Sequence, residues 1–401
     1  MLHGFLYFLL AVALIGTLTS TIFLILTLLG ILKFRSAARQ QLAACKNAAH
    51  FPPVSVLKPV HGVEAQLKEN IESFFRQDYP AYEIIFAADE GDDAALPIIR
   101  EVSARYPHIP SRILINGKPP WPNPPAYSFF RMTQIAAHDI FVTSDSDVEV
   151  APTYLREVVT PLLDRKVGMV TCLYRGKNAA GFWSGLTAIG MSVEMTAGVL
   201  VANMLEGMKF GLGPTIAVKK EAVARIGGYE VLGDYFANDF MIGNLIDKAG
   251  YTVVLSQHPI DHVVNQKSFQ KMWENQLRWG KSTRYSRPKG HFGSGLIFAI
   301  PFGLLGLIAA LALHKPILGV ALFAAAFLNR VLESWLVGWG IVRDPVALKK
   351  FWLYPIRDLL GFIVWVASYT GAKSVWRDSR YELQGDKIVL RKDAEPSAAG
   401  R

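Results

Sequence analysis

The sequence predicts an α/β domain on a mainly parallel sheet, preceded by an N-terminal transmembrane anchor and followed by C-terminal transmembrane helices. Three observations predict it. Of 401 residues, 51% are hydrophobic and only 19% charged, against ~25% charged in soluble domains, and the mean hydropathy is positive at +0.25. Apolar runs near both ends are long enough for a bilayer, which needs ~20 such residues. Between them, short β-branched runs alternate with helical patterns, as in βαβ units.

The first apolar run, 5–32, carries no charge. Its length exceeds the ~7–15-residue core of a secretory signal and no positive stretch precedes it, so a retained anchor is expected. Residues 292–313 are also uncharged, and 317–341 hold only Arg330 and Glu333. Three apart on a helix, that pair can meet. A fourth run, 351–369, contains Arg357 and Asp358. If it spans, the basic tail ends on the wrong side for the positive-inside rule. A re-entrant or interfacial segment resolves this, with both charges buried in protein rather than facing lipid.

The net charge is +9, concentrated beside the apolar runs in Lys33, Arg35 and Arg39, then Lys267, Lys271, Arg278, Lys281, Arg284, Arg287 and Lys289. Such flanks mark the cytoplasmic side and favour anionic headgroups. A nucleic-acid partner would need a basic face with stacking aromatics on a soluble module, so none is expected. Two cysteines, Cys45 and Cys172, are too few for a disulfide framework or a metal cluster. No internal repeat is visible.

The central block opens with a strand at 54–57, ended by Lys58-Pro59. Leu67, Ile71, Phe74 and Phe75 place one apolar face on a helix over 67–76. Strand 82–88, helix 96–106, strand 111–115, a proline-rich loop at 119–125, helix 128–137 and strand 140–143 follow. Ligands of such sheets bind beyond the carboxyl ends of the strands, so the residues there matter most.

After strand 140–143 stands Ser144-Asp145-Ser146-Asp147. Carboxylates this close repel unless a cation such as Mg²⁺ or Mn²⁺ neutralises them, together with substrate phosphates. The alternative is a solvated turn. Asp89, after strand 82–88, either accepts hydrogen bonds from a base or ribose or caps the next helix. Asp239 lies among Tyr235, Phe236 and Phe240. It is either a general base with a pKa raised by apolar neighbours or an N-cap carboxylate opening a helix over 240–249. On the amphipathic stretch 269–285, Asn275-Gln276-Leu277-Arg278-Trp279 offers a guanidinium for a diphosphate and an indole to wall a sugar or acceptor site. The same stretch suits a helix lying in the headgroup plane, with Trp273 as an anchor.

Together, Asp89, Asp145/Asp147, Asp239 and Arg278-Trp279 resemble, in order and spacing, a membrane-bound family 2-like glycosyltransferase. More narrowly, the chain resembles ceramide glucosyltransferases and the bacterial glycosyltransferases associated with hopanoid lipids. Ser55-Val56-Leu57-Lys58-Pro59-Val60-His61-Gly62, Phe74-Phe75-Arg76-Gln77-Asp78-Tyr79-Pro80, Ile226-Gly227-Gly228-Tyr229 and, more weakly, Trp376-Arg377-Asp378-Ser379-Arg380-Tyr381 extend the resemblance over nearly the whole chain.

The resemblance implies a glycosyltransferase A-type (Rossmann-like) domain. Asp89 would hold the uridine of a nucleotide-sugar donor. Asp145 and Asp147 would hold the metal and the diphosphate or donor sugar, Asp239 would be the catalytic base, and Asn275, Gln276, Arg278 and Trp279 would complete the donor and acceptor site. A membrane lipid such as ceramide or a hopanoid would be the acceptor, at the cytoplasmic face of a bacterial inner membrane. Two positions depart from the family pattern. Asn275 stands where Gln or Arg is usual, with Gln276 beside it. Asn123-Pro124-Pro125 lacks the usual lysine, so either Lys118 or Arg131 takes its place or donor binding differs. A processive polysaccharide synthase shares these acids but needs more spans, and a catalytically impaired membrane scaffold is the other alternative.

The expected division is an anchor over 1–35, a cytoplasmic domain over 50–265, an interfacial helix over 266–290, a transmembrane hairpin over 291–341, a fourth segment over 351–370 and a basic tail over 371–401 that frays at 396–401.

Overall fold

In the computed structural model the described residues are 1–371, 373–376, 379–385 and 387–390. Arg377, Asp378 and the expected frayed end at 396–401 lie outside them. The main sheet has eight strands, β1 (Val54–Pro59), β2 (Tyr82–Ala88), β3 (Ser111–Ile115), β4 (Ile140–Ser144), β5 (Val148–Glu149), β6 (Val167–Asn178), β7 (Thr215–Lys219) and β8 (Thr252–Val264), in the order β3-β2-β1-β4-β7-β6-β8-β5. The first four in space are parallel, as expected. In the far half β6 and β8 are parallel as well. β7 runs antiparallel to β4 and β6, and the edge strand β5 antiparallel to β8. The sheet is therefore mixed, because β7 is reached by a long helical excursion rather than a single crossover helix.

Helices cover both faces, so the inner strands read as continuous apolar runs. β2 is buried at all seven positions. Its one charge, Glu83, accepts from Ser55 Oγ at 2.7 Å and from the Ala137 amide at 2.6 Å, and pairs with Arg112. The helices of this half are α1 (Leu2–Asn47), α2 (Leu67–Phe75), α3 (Ala95–Arg105), α4 (Pro124–Ile135) and α5 (Tyr154–Val159). The apolar stripe of α2 is buried as its spacing predicts. α4 starts four residues before the expected position, because the prolines open it instead of forming a loop. Asn123 caps it by accepting from the Ala126 amide at 3.0 Å, and Pro124 fills a position whose N–H has no helical partner anyway.

Next come α6 (Phe182–Gly190), a π turn (Met191–Met195), α7 (Thr196–Glu206), α8 (Lys220–Arg225) and α9 (Asn238–Lys248). The stretch Phe182–Glu206 is apolar enough to cross a membrane, yet most of its surface is covered by protein. Sequence reading passed over it, since a buried core helix and a span share one composition. Among the described residues, α1 and Pro316–Trp339 are the other two helices long and apolar enough to cross.

The C-terminal part holds α10 (Phe269–Ser286), α11 (Pro288–Ser294), α12 (Ile300–Ala312), α13 (Pro316–Glu333), α14 (Pro345–Lys349) and α15 (Leu353–Ser368). The expected run over 292–313 is split. α12 has 13 residues, about 20 Å at 1.5 Å per residue, short of a ~30 Å hydrocarbon layer. In α15, Arg357 and Asp358 are buried in protein. Arg330 Nη1 lies 2.8 Å from Glu333 Oε2 and 3.2 Å from Asp358 Oδ1. Asp358 Oδ2 also accepts the Ala299 and Ile300 amides at 3.0 and 2.8 Å. These charges join α12, α13 and α15. The tail, expected only to be basic, forms a second sheet of β9 (Lys373–Trp376), β10 (Ser379–Gln384) and β11 (Lys387–Leu390), all antiparallel.

Candidate active site

Asp145 and Asp147 stand in the short link from β4 to the edge strand β5. The link is held from beneath by Lys58, the last side chain of β1 before its proline. Lys58 is fully buried, lies 3.8 Å above the Phe74 ring, and donates to the Asp145 carbonyl at 2.7 Å and to Ser144 Oγ at 3.3 Å. Burial pulls its ammonium down to about 7, against the attraction of the two aspartates. Asn70 Nδ2 donates to the Ser146 carbonyl at 3.1 Å, and Ser146 Oγ to Glu64 Oε2 at 2.6 Å. The Asp-x-Asp run is thus a buttressed link rather than a solvated turn.

From β8, His262 Nε2 meets Asp147 Oδ2 at 2.9 Å. β5 and β8 pair with Val148 opposite His262, and the Val263 amide donates to the Asp147 carbonyl at 2.8 Å. Burial and then the charge of Asp147 push the Asp145 carboxyl well above the usual carboxylate range. Burial acts the same way on Asp147, but the charge and hydrogen bond of His262 outweigh it and hold Asp147 below that range. Asp147 Oδ1 is buried without a hydrogen-bond partner. Among the described residues no three His, Cys, Asp or Glu side chains form a metal cage. Mg²⁺ needs only one or two carboxylates when substrate phosphates supply the rest. Two hard oxygen donors with mutual repulsion and an orphaned buried oxygen fit that requirement.

Asp239 is the second residue of α9, whose N-cap is Ala237, so it lies in the first turn instead of capping it. The loop 207–214 approaches it closely. A Cβ on Gly211 would fall 2.6 Å from the Asp239 carbonyl oxygen, and one on Gly213 2.8 Å from Asp239 Oδ2. Burial pushes the Asp239 carboxyl up, opposed by backbone N–H donors including Gly213 and by the charge of Arg278.

Burial, then the charges of Asp239, Asp145 and Asp147, push the hydroxyl of Tyr174 on β6 up. Its ring lies 5.4 Å from the His262 ring, and it packs with Trp279 against Ala188, Met191 and Val264. Lys58, His262 and Tyr174 were not singled out from sequence. Lys58 stands in the quoted Leu57-Lys58-Pro59 run, the only signal that pointed there.

Asp89 follows β2 and lines a small cleft with Pro59, Val60, Pro124, Pro125 and Ser128. Of the two bases named for the absent lysine, Lys118 is exposed. Arg131 donates from Nη1 to the Asn116 carbonyl and the Tyr127 hydroxyl, both at 3.2 Å, while Asn116 Nδ2 donates to Ser128 Oγ at 2.9 Å. Arg131 is therefore tied to the cleft wall.

α10 is capped by Ser268, which accepts from the Lys271 amide at 3.2 Å. It packs against α6 and α15 and keeps Phe269 exposed. Arg278 stacks over Trp279 at 5.8 Å and donates to Asn275 Oδ1 at 3.4 Å. Gln276 is buried and points away, donating to Thr187 Oγ1 of α6 at 3.4 Å.

Among solved structures, the mannosyltransferase PcManGT from Pyrobaculum calidifontis in complex with GDP-Man and Mn²⁺ aligns with TM-score 0.46 and 18% identity, over 88% of this chain and 98% of that one. Ceramide glucosyltransferase 1 of Caenorhabditis elegans is 25% identical over 354 residues, 86% of this chain and 74% of the relative. Ceramide glucosyltransferase 3 of the same organism is 24% identical over 355 residues, 86% of this chain and 76% of the relative. The family model for glycosyl transferase family 21 matches residues 10–389. With that match running from the first apolar helix to the last strand, the chain belongs to glycosyl transferase family 21 and is a ceramide glucosyltransferase-like glycosyltransferase.

Proposed function

We propose that this protein moves a sugar from a nucleotide-sugar donor, a UDP-sugar, onto the hydroxyl of a membrane lipid such as ceramide or a hopanoid, inverting the anomeric centre. The observation that carries this reading is the buttressed pair Asp145 and Asp147 with its orphaned Asp147 Oδ1, beside Tyr174, whose ring lies against His262 and shares a cluster with Trp279 on a helix packed against α15. The names of the relatives support a lipid acceptor.

Asp89, at the carboxyl end of β2, accepts hydrogen bonds from the uridine of the bound donor. Asp145 and Asp147 would hold Mg²⁺ or Mn²⁺, and such an ion neutralises charge on the departing diphosphate. Arg278 presents its guanidinium to the same diphosphate, with Asn275 orienting it. Gln276 keeps α10 seated on α6 through Thr187. Asp239 takes the proton of the lipid hydroxyl as its oxygen attacks the anomeric carbon and the bond to the diphosphate breaks. Trp279 walls the acceptor side and excludes water.

The expected division stands as part of this proposal, with 1–35 as the anchor, 50–265 on the cytoplasmic face of a bacterial inner membrane, and α15 as a segment whose charges are satisfied within the protein. The test is transfer from labelled UDP-glucose and UDP-N-acetylglucosamine to ceramide or hopanoid in nanodiscs, by native protein and Asp239→Asn. A labelled lipid formed only by the native protein is expected. Full turnover by Asp239→Asn removes the base assignment, and absence of lipid product from every UDP-sugar removes the reaction.

A further inference from the structure

The loop 233–236 leads directly into the helix that carries Asp239, and three successive carbonyls in it are held from outside. Gly233 O accepts the Asn123 amide at 2.9 Å, Asp234 O the Ile388 amide at 2.8 Å, and Tyr235 O the Asn123 Nδ2 at 2.8 Å. Two of these donors come from the cap of α4. The third comes from β11, about 150 residues further along the chain. Tyr235 also forms an antiparallel bridge with Lys387. Phe236 and Ile388 are 8% and 2% exposed and form a small core with Tyr285. Tyr285 lies on α10, seven residues past Arg278 and so two turns on along the same face.

We propose that the C-terminal sheet is a strap that positions the catalytic groups, with Ile388 as its positioning residue. Ile388 touches no substrate. Its amide closes the side of the loop that Asn123 leaves open, and its side chain packs the loop onto the helix that carries Arg278. The strap therefore bears on both elements whose separation decides whether base and diphosphate clamp act on one donor. This rests on reading Asp239 as the base. A misplacement of ~1 Å at such a group can cost ~10²-fold in rate.

The test uses the full chain in nanodiscs, with Ile388→Asp, Ile388→Ala and Ile388→Val beside Asp239→Asn. Ile388→Asp should lower kcat by about 10- to 100-fold with a smaller rise in the donor KM, and Ile388→Val should keep native turnover. Should Ile388→Asp fail to fold, Ile388→Ala replaces it, with about tenfold loss of kcat expected. A folded variant, Asp or Ala, with kcat within twofold of native overturns the strap, as does a loss confined to the donor KM. An active Asp239→Asn overturns the base assignment whatever Ile388 does, so the two failures are read separately.

Discussion

Gly213 faces Asp239 so closely that a Cβ on the glycine would lie 2.8 Å from Oδ2 of the carboxylate. The contact places a backbone N–H against the proposed base and leaves no room for a side chain. Gly213→Ala should therefore push the carboxylate aside and lower kcat by about tenfold or more, with little change in melting temperature. Steady-state kinetics beside a thermal melt decide it, and native kcat in a folded Gly213→Ala protein would refute the proposed contact.

The pH dependence of transfer follows from Asp239. Burial raises its pKa, and a base acts only when ionised, so kcat should fall as pH drops through that raised value. The acidic limb should lie above the ordinary ~3.9 of an aspartate. The Arg278 charge works in the opposite direction. Arg278→Gln should move the limb to higher pH, besides slowing the reaction. A limb that stays in place in Arg278→Gln would separate the two groups.

The same raised pKa has a consequence for stability. A carboxyl raised on folding contributes stability below its unfolded pKa and loses it as pH rises through the folded value. That contribution shrinks as pH rises from 4 to 7, so at pH 7 Asp239→Asn, which carries no charge to desolvate, should melt higher than the native protein. The gap should close near pH 4. Melts of both proteins at the two pH values check the sign.

Removing divalent ions with a chelator should abolish transfer, and Mn²⁺ or Mg²⁺ should restore it. Asp147→Asn should not be rescued by added ion. His262 bonds Asp147 at 2.9 Å, so His262→Phe should raise the ion concentration needed by about 10- to 100-fold, the usual scale for a group that orients a ligand. Activity plotted against Mn²⁺ concentration distinguishes the two variants.

Arg330 is 2% exposed and paired with Glu333 and Asp358. Arg330→Met leaves two buried carboxylates without their cation, at a cost of about 3–5 kcal/mol. The expected readout is a large drop in melting temperature in detergent. Removal of the exposed Lys271–Glu274 pair should leave melting almost unchanged.

Short-range pattern determined much of this protein. Apolar runs announced α1 and α13, alternation of β-branched and helical stretches announced β1 to β4 with the helices between them, and the pairing of Arg330 with Glu333 followed from their spacing. These are properties of neighbours in sequence, where periods of 2 and 3.6 residues are visible directly. Asp145, Asp147 and Asp239 were legible as residue types at a strand end and a helix start, and Arg278 as a cation on an amphipathic helix. The side chains gathered around them were not, because Tyr174, His262 and Lys58 come to them across 27 to 115 residues of chain, through strand pairings that no local pattern encodes. Tertiary structure also decided that Phe182–Glu206 is an interior helix, that Gln276 turns inward to Thr187, that β7 runs antiparallel and that the tail folds back onto the loop before Asp239. In each case the deciding quantity is which surface another part of the chain covers, and burial of that kind exists only once the chain has folded.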